Sequence, residues 1–147
     1  MSSVYLSLGS NLGNRHALLL QAIDMLTHRV GRLVRASSFI QTEPWGFASP
    51  HPFLNACILM HTDLAPHDLL SETQAIERLM GRTQKTAPAP RGTDAAPRYA
   101  DRPIDIDILL YDDLRIDTLE LTIPHPLMHQ REFVLRPLRE IQLEMKT

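Results

Sequence analysis

The sequence holds a single cysteine, Cys57, so no internal disulfide can form and a reducing cytoplasm is the expected setting. Cys57 lies in the apolar run Ala56-Cys57-Ile58-Leu59-Met60, which reads as a buried structural thiol and not a nucleophile. No run is long and apolar enough to span a membrane, and the first residues lack the basic-then-apolar pattern of a secretory leader. Neither sign of charge dominates: 15 Lys and Arg stand against 17 Asp and Glu, a formal net charge of −2. That balance argues against a general nucleic-acid binder, while leaving room for local basic clusters. No G-x-x-x-x-G-K-[ST] segment occurs, which excludes a Walker-type phosphate loop. There are no repeats and no interdomain linker. The 147 residues fit one domain with its own core, with too little chain left over for a fused partner.

What is present centres on the run from Arg102 to Tyr111, R-P-I-D-I-D-I-L-L-Y. Apolar and acidic residues alternate and the run then turns wholly apolar, the pattern of a strand whose faces meet different surroundings. Asp105 and Asp107 share one face, and Ile104, Ile106 and Ile108 fill the other. Two neighbouring carboxylates repel each other and resist burial, so something must compensate them. A divalent metal with phosphate oxygens would do so; a solvated edge strand would also tolerate them, and the strand alone does not choose.

In chain order, Val4–Leu8 reads as a strand ending in the turn Gly9-Ser10-Asn11-Leu12-Gly13-Asn14, with Asn11 or Asn14 placed to cap a helix. Leu18, Leu19, Ala22, Ile23 and Leu26 recur at helical spacing. Val30–Gln41 reads as a second strand and Phe53–His61 as a third, separated by the proline-rich stretch Thr42–Pro52. Pro66 opens a second helix, on which Leu70, Gln74 and Glu77 share one line, and Gly81 ends it. Residues 82–102 form a long polar, proline-rich and basic loop. Arg115–Leu119 reads as a hairpin partner for the Asp105 strand, and Met128–Ile141 as short helical turns interrupted by Pro137. The order β-α-β-β-α-β is the ferredoxin-like pattern: an α+β fold, antiparallel sheet, helices on one face, with an added C-terminal hairpin and helical segment.

Arg82, Lys85, Arg91, Arg98 and Arg102 cluster on the chain before the acid pair. Arginine forks suit phosphate oxygens, so this loop reads either as a lid over a polyphosphate substrate or as a solvated charge run. His125, between two prolines, and Asn55, early in the third strand, are ambiguous alone.

Taken together, Gly9-Ser10-Asn11-Leu12-Gly13, Thr42-Glu43-Pro44, Phe53-Leu54-Asn55, Asp105-Ile106-Asp107-Ile108 and Pro124-His125-Pro126 resemble the 6-hydroxymethyl-7,8-dihydropterin pyrophosphokinase family of folate biosynthesis. The resemblance runs from Val4 to about Ile141. It implies transfer of pyrophosphate from ATP to the pterin hydroxymethyl oxygen, leaving AMP. Asp105 and Asp107 would hold two Mg²⁺, and Arg82 and Arg102 would grip the transferred phosphates. Leu70, Gln74, Glu77, Lys85, Tyr99, Ile108, Thr122 and His125 match the nucleotide side. Thr42, Pro44, Trp45 and Asn55 match the pterin pocket, with Phe53 and Phe133 against the pterin ring. Arg131 is a further match. The chain departs from the family pattern at Gln84, Tyr99, Glu120 and Pro126 and in a longer catalytic loop at 83–102, expected to be mobile. A monomer without nucleic-acid or membrane partners is expected. Two other functions fit the same residues: a pterin- or nucleotide-binding paralogue with weak or altered turnover, and a metal-dependent phosphohydrolase.

Overall fold

Alternation from Ser2 to Ser10 sends Val4, Leu6 and Leu8 to one side and Tyr5, Ser7 and Gly9 to the other, and this segment is the central strand β1 (Ser2–Ser10). The computed structural model describes residues 1–42, 52–81, 103–126 and 128–145. After β1 come α1 (Arg15–Arg29), β2 (Gly31–Ala36), β3 (Ile40–Thr42), β4 (Phe53–Thr62), α2 (Pro66–Leu79) and β5 (Asp105–Tyr111). A short pair, β6 (Ile116–Asp117) and β7 (Thr122–Ile123), precedes a 3-10 turn (Met128–Gln130) and α3 (Glu132–Met145). The main sheet has the order β2-β4-β1-β5, with β3 also paired to β4, and each pairing is antiparallel.

The two sheet faces carry separate cores. Leu19, Ala22 and Leu26 of α1 and Leu69 and Ile76 of α2 pack on Val4, Leu6, Leu8, Ile58, Met60, Ile106 and Ile108. Val134, Leu138 and Ile141 of α3 pack on Cys57, Leu59 and Leu109, which point the opposite way. Helices α1 and α2 thus share one face, and the C-terminal helix covers the other. Cys57 is fully buried there, and burial pushes its thiol up to about 12, as befits a structural cysteine.

Three expectations are corrected. The single strand from Val30 to Gln41 is two strands, broken at Ser37–Phe39. The break is built by side chains: Ser37 Oγ accepts the Cys57 N–H at 2.9 Å, and Glu140 Oε1 accepts both the N–H and the hydroxyl of Ser38 at 2.9 Å each. The segment after Asp112–Asp113 pairs with β7 and not with β5, through Ile116 opposite Ile123 and Asp117 opposite Thr122. Finally, α3 runs through Pro137. A mid-helix proline costs about 3 kcal/mol, and burying a large aliphatic side chain returns about 1.5–3 kcal/mol, so Val134, Leu138 and Ile141 outweigh it.

At the end of β5, Asp112 has φ 48°, a left-handed conformation that Asp tolerates through local hydrogen bonding. Its Oδ1 accepts the Ser3 N–H at 2.7 Å, and its own N–H donates to the Ser3 carbonyl at 2.8 Å. The Ser3 bond, helped by Ser2, holds the carboxyl below its ordinary value. A depressed carboxyl contributes stability above its unfolded pKa of about 4, and that contribution disappears as pH falls through the lower folded value. Asp112→Asn keeps the turn and the acceptor but loses the charge. Denaturant unfolding as a function of pH should therefore show a shallower acid loss in the variant, by a modest amount because the group is exposed.

Candidate active site

The α3-facing side of the sheet changes character along its length. Pairing Gly9 with both Asn55 and Asp105 makes one cross-strand row, Asn55-Gly9-Asp105. The next row is Cys57-Ser7-Asp107, and beyond it the face is apolar under α3. Strand β3 extends the polar end: Thr42 lies opposite Phe53 and Ile40 opposite Asn55. Asn55 Nδ2 donates to Thr42 Oγ1 at 2.6 Å. Glycine at position 9 lets the Asn55 and Phe53 side chains lean over the middle of this floor. A Cβ there would stand 2.8 Å from Asn55 Oδ1 and 3.5 Å from Phe53 Cδ1. Adjacent strands are about 4.8 Å apart, so the main chains of Asn55 and Asp105 lie roughly 10 Å apart on either side of Gly9.

Asp107 is the more enclosed acid of the pair, 9% exposed. His125 Nε2 lies 3.8 Å from its Oδ1, and Arg131 Nη1 lies 4.0 Å from its Oδ2. These separations are electrostatic contacts longer than hydrogen bonds. The His125 side chain is brought in by its own main chain, whose N–H donates to the Leu109 carbonyl at 3.0 Å. Arg131 is buried, with its guanidinium carbon 5.5 Å from the centre of the Phe133 ring, a cation–π contact. Two acids and two basic groups thus meet at the polar end of one sheet face, with Phe53 on the floor and Phe133 at the start of the helix lying over that face.

The remaining expected residues fall elsewhere. Ile108 is buried in the α1/α2 core, and Leu70 packs against that same core. Strand alternation leaves the Ile108 main chain on the outer edge of β5. Gln74 is exposed on α2. Glu77 is only 5% exposed, and its Oε2 accepts the Ile106 N–H at 2.8 Å from β5. Thr122 is half-buried in β7. Pro44, Trp45, Arg82, Lys85, Tyr99, Arg102 and the 83–102 loop lie outside the described residues. Among the described residues no group of three or more His, Cys, Asp or Glu is arranged to hold a metal ion.

A sequence model of the 7,8-dihydro-6-hydroxymethylpterin-pyrophosphokinase family matches residues 5–143. The chain belongs to that family. A 2-amino-4-hydroxy-6-hydroxymethyldihydropteridine pyrophosphokinase from Porphyromonas gingivalis is 54% identical over 142 residues, covering 96% of this chain and 91% of that protein. The Bacillus subtilis protein of the same name is 39% identical over 138 residues, covering 93% and 76%. A solved HPPK-DHPS structure in complex with substrates overlays with a TM-score of 0.72 at 14% identity, covering 95% of this chain. A Plasmodium falciparum HPPK-DHPS structure gives 0.70 at 16% identity, again over 95%. This chain spans about two fifths of those two solved chains (40% and 39%), and the likeness speaks for the fold.

Within this pyrophosphokinase family frame, sequence reasoning underrated three residues. Arg131 stands out in the sequence only through the family resemblance, yet it contacts both Asp107 and Phe133. Gly9 was read as turn chemistry but is a strand residue at the centre of the floor. Arg15 was not singled out, and it joins Pro52 and Gln41. Basic charge in a helix's first turn, where it opposes the dipole, was the available signal for Arg15.

Proposed function

We propose that the chain transfers pyrophosphate from ATP to 6-hydroxymethyl-7,8-dihydropterin, giving AMP and the pterin diphosphate in folate biosynthesis. The family match over residues 5–143 carries this conclusion. In the reaction the pterin hydroxymethyl oxygen bonds to the β-phosphorus of ATP, the bond from that phosphorus to the α,β-bridging oxygen breaks, and the hydroxyl proton leaves.

The residue roles that follow are our reading. Asp105 and Asp107 would hold Mg²⁺, two ions in all, and their donor chemistry fits: carboxylate oxygens side by side on one face, the kind hard cations take along with phosphate oxygens. Bound there, the ions would neutralise phosphate charge during transfer. His125 and Arg131, near Asp107, would bind phosphate oxygens. Asn55 and Thr42, with Phe53 and Phe133, would orient the flat pterin by its polar edge and ring face. Arg82, Arg102, Lys85, Tyr99, Pro44 and Trp45 keep the roles that the family resemblance implies, as do Leu70, Gln74, Glu77, Ile108 and Thr122. The strand order β2-β4-β1-β5, with α1 and α2 together on one face, supports a ferredoxin-like core within a single domain over the whole chain. A monomer working in the cytoplasm completes this reading. Among the described residues, no helix is long and apolar enough to cross a membrane.

AMP formation with ATP and Mg²⁺ tests the proposal. AMP should appear only when the pterin alcohol is added. Binding heat without AMP would point to a non-catalytic binding protein, and phosphate release without pterin would point to a phosphohydrolase.

A further inference from the structure

We propose that Arg15 is a positioning residue for the pterin side of the site, holding β3 and β4 together at the rung that presents Thr42 and Phe53. The inference rests on reading the 42–55 face as the pterin side.

Strand β3 is three residues long and, among the described residues, pairs with β4 alone, and three rungs are a weak hold on a short strand. Its ends are tied from outside. At the front, Glu140 of α3 takes both donors of Ser38. At the back, the Arg15 guanidinium forks: Nη1 donates to the Pro52 carbonyl at 2.9 Å, and Nη2 donates to Gln41 Oε1 at 3.1 Å. Gln41 and Pro52 adjoin Thr42 and Phe53, which pair with each other, so the fork spans that rung from a third element, the first position of α1. Local physics gives no reason for arginine here. The first turn of α1 contains no acid to pair with it, and a cation at a helix N-terminus is disfavoured by about 0.3–1 kcal/mol. The tertiary contact supplies the reason. Thr42 Oγ1 in turn accepts from Asn55 Nδ2, so a loosened rung would release the amide proposed to read the pterin edge. The acid pair and its basic partners sit on β5, at the His125 kink and at the start of α3, beyond β1, and lie outside this linkage.

The test is steady-state kinetics and ligand-free amide exchange on the full chain. In Arg15→Ala the pterin KM should rise about tenfold, the size of one lost charge-assisted hydrogen bond, with ATP KM and kcat within about twofold of wild type. Arg15→Lys keeps the charge on one nitrogen but loses the two-nitrogen fork, and should fall between. Gln41→Glu turns the second bond into an ion pair and should leave the pterin KM at or below the wild-type value. Without ligands, exchange at Thr42 and Phe53 should quicken in Arg15→Ala while Ile106–Leu109 stays unchanged. An unchanged pterin KM, an equal rise in both KM values, or unaltered exchange at Thr42 and Phe53 would overturn the proposal. Failure of wild type to form AMP counts against the functional reading instead, and the exchange result then decides the staple by itself.

Discussion

Replacing Asp105 with alanine, or Asp107 with asparagine, should lower AMP formation by about 10³-fold or more. Both substitutions remove a negative charge from the same face of β5 and leave the buried isoleucines on the other face untouched. Asparagine is the better probe at position 107. Its shape keeps a polar neighbour for buried Arg131, whereas alanine would leave that guanidinium in a hole and confuse lost chemistry with lost stability. At the half-exposed position 105, alanine opens no buried hole. Circular dichroism and thermal unfolding close to wild type, together with the activity loss, are the expected pair of results. Full activity in either variant would sink the assignment of these carboxylates to the transfer step.

Gly31→Ala should destabilise the fold by about 3 kcal/mol, lowering Tm by roughly 10 °C in a chain of this size. A Cβ at position 31 would stand 2.0 Å from the His61 carbonyl oxygen, 3.0 Å from its carbon and 3.1 Å from Thr62 Cα. All three are main-chain atoms of β4, so no side chain can swing aside. The strand cannot retreat either. β2 begins directly after Val30, whose N–H caps α1 through Leu26 and whose carbonyl accepts the Thr62 hydroxyl at 2.7 Å. Relief requires parting β2 from β4 at the start of their pairing. A Tm within a degree or two of wild type would show that this junction yields more readily than its packing implies.

Patterns of fixed period were legible in the sequence, and long-range side-chain contacts were not. Alternation at Ile104–Ile108 announced β5 and its two unlike faces, and the leucines of α1 announced the helix. The break at Ser37–Phe39 was invisible because Ser37 and Ser38 are partnered by Cys57 and by Glu140, 102 residues away. Pro137 misled because helix propensity is local, whereas the packing of Val134, Leu138 and Ile141 is not. β6 was expected beside β5, but the pairing it makes is only two rungs long and Thr118 fixes its turn, too little pattern to read. In the site, residue types were readable: paired acids, a histidine in a kink, an asparagine at a strand start. Which of them meet was not. Glu77 is a further case: the resemblance puts it on the nucleotide side, and its buried carboxylate also accepts the Ile106 N–H from β5, a bond no local pattern announces.

That last bond has a consequence for how molecules of this protein meet one another. Among the described residues β5 ends the main sheet, and a terminal strand offers its outward N–H and C=O groups to any extended chain that drifts past. Here Glu77 occupies the Ile106 N–H and the His125 N–H occupies the Leu109 carbonyl. An acid from α2 and the His125 kink therefore also shield main-chain groups of that edge from edge-to-edge pairing. Removing the Glu77 carboxylate takes one partner from this edge, so a buried acid of α2 bears on solubility as well as on the packing of the sheet.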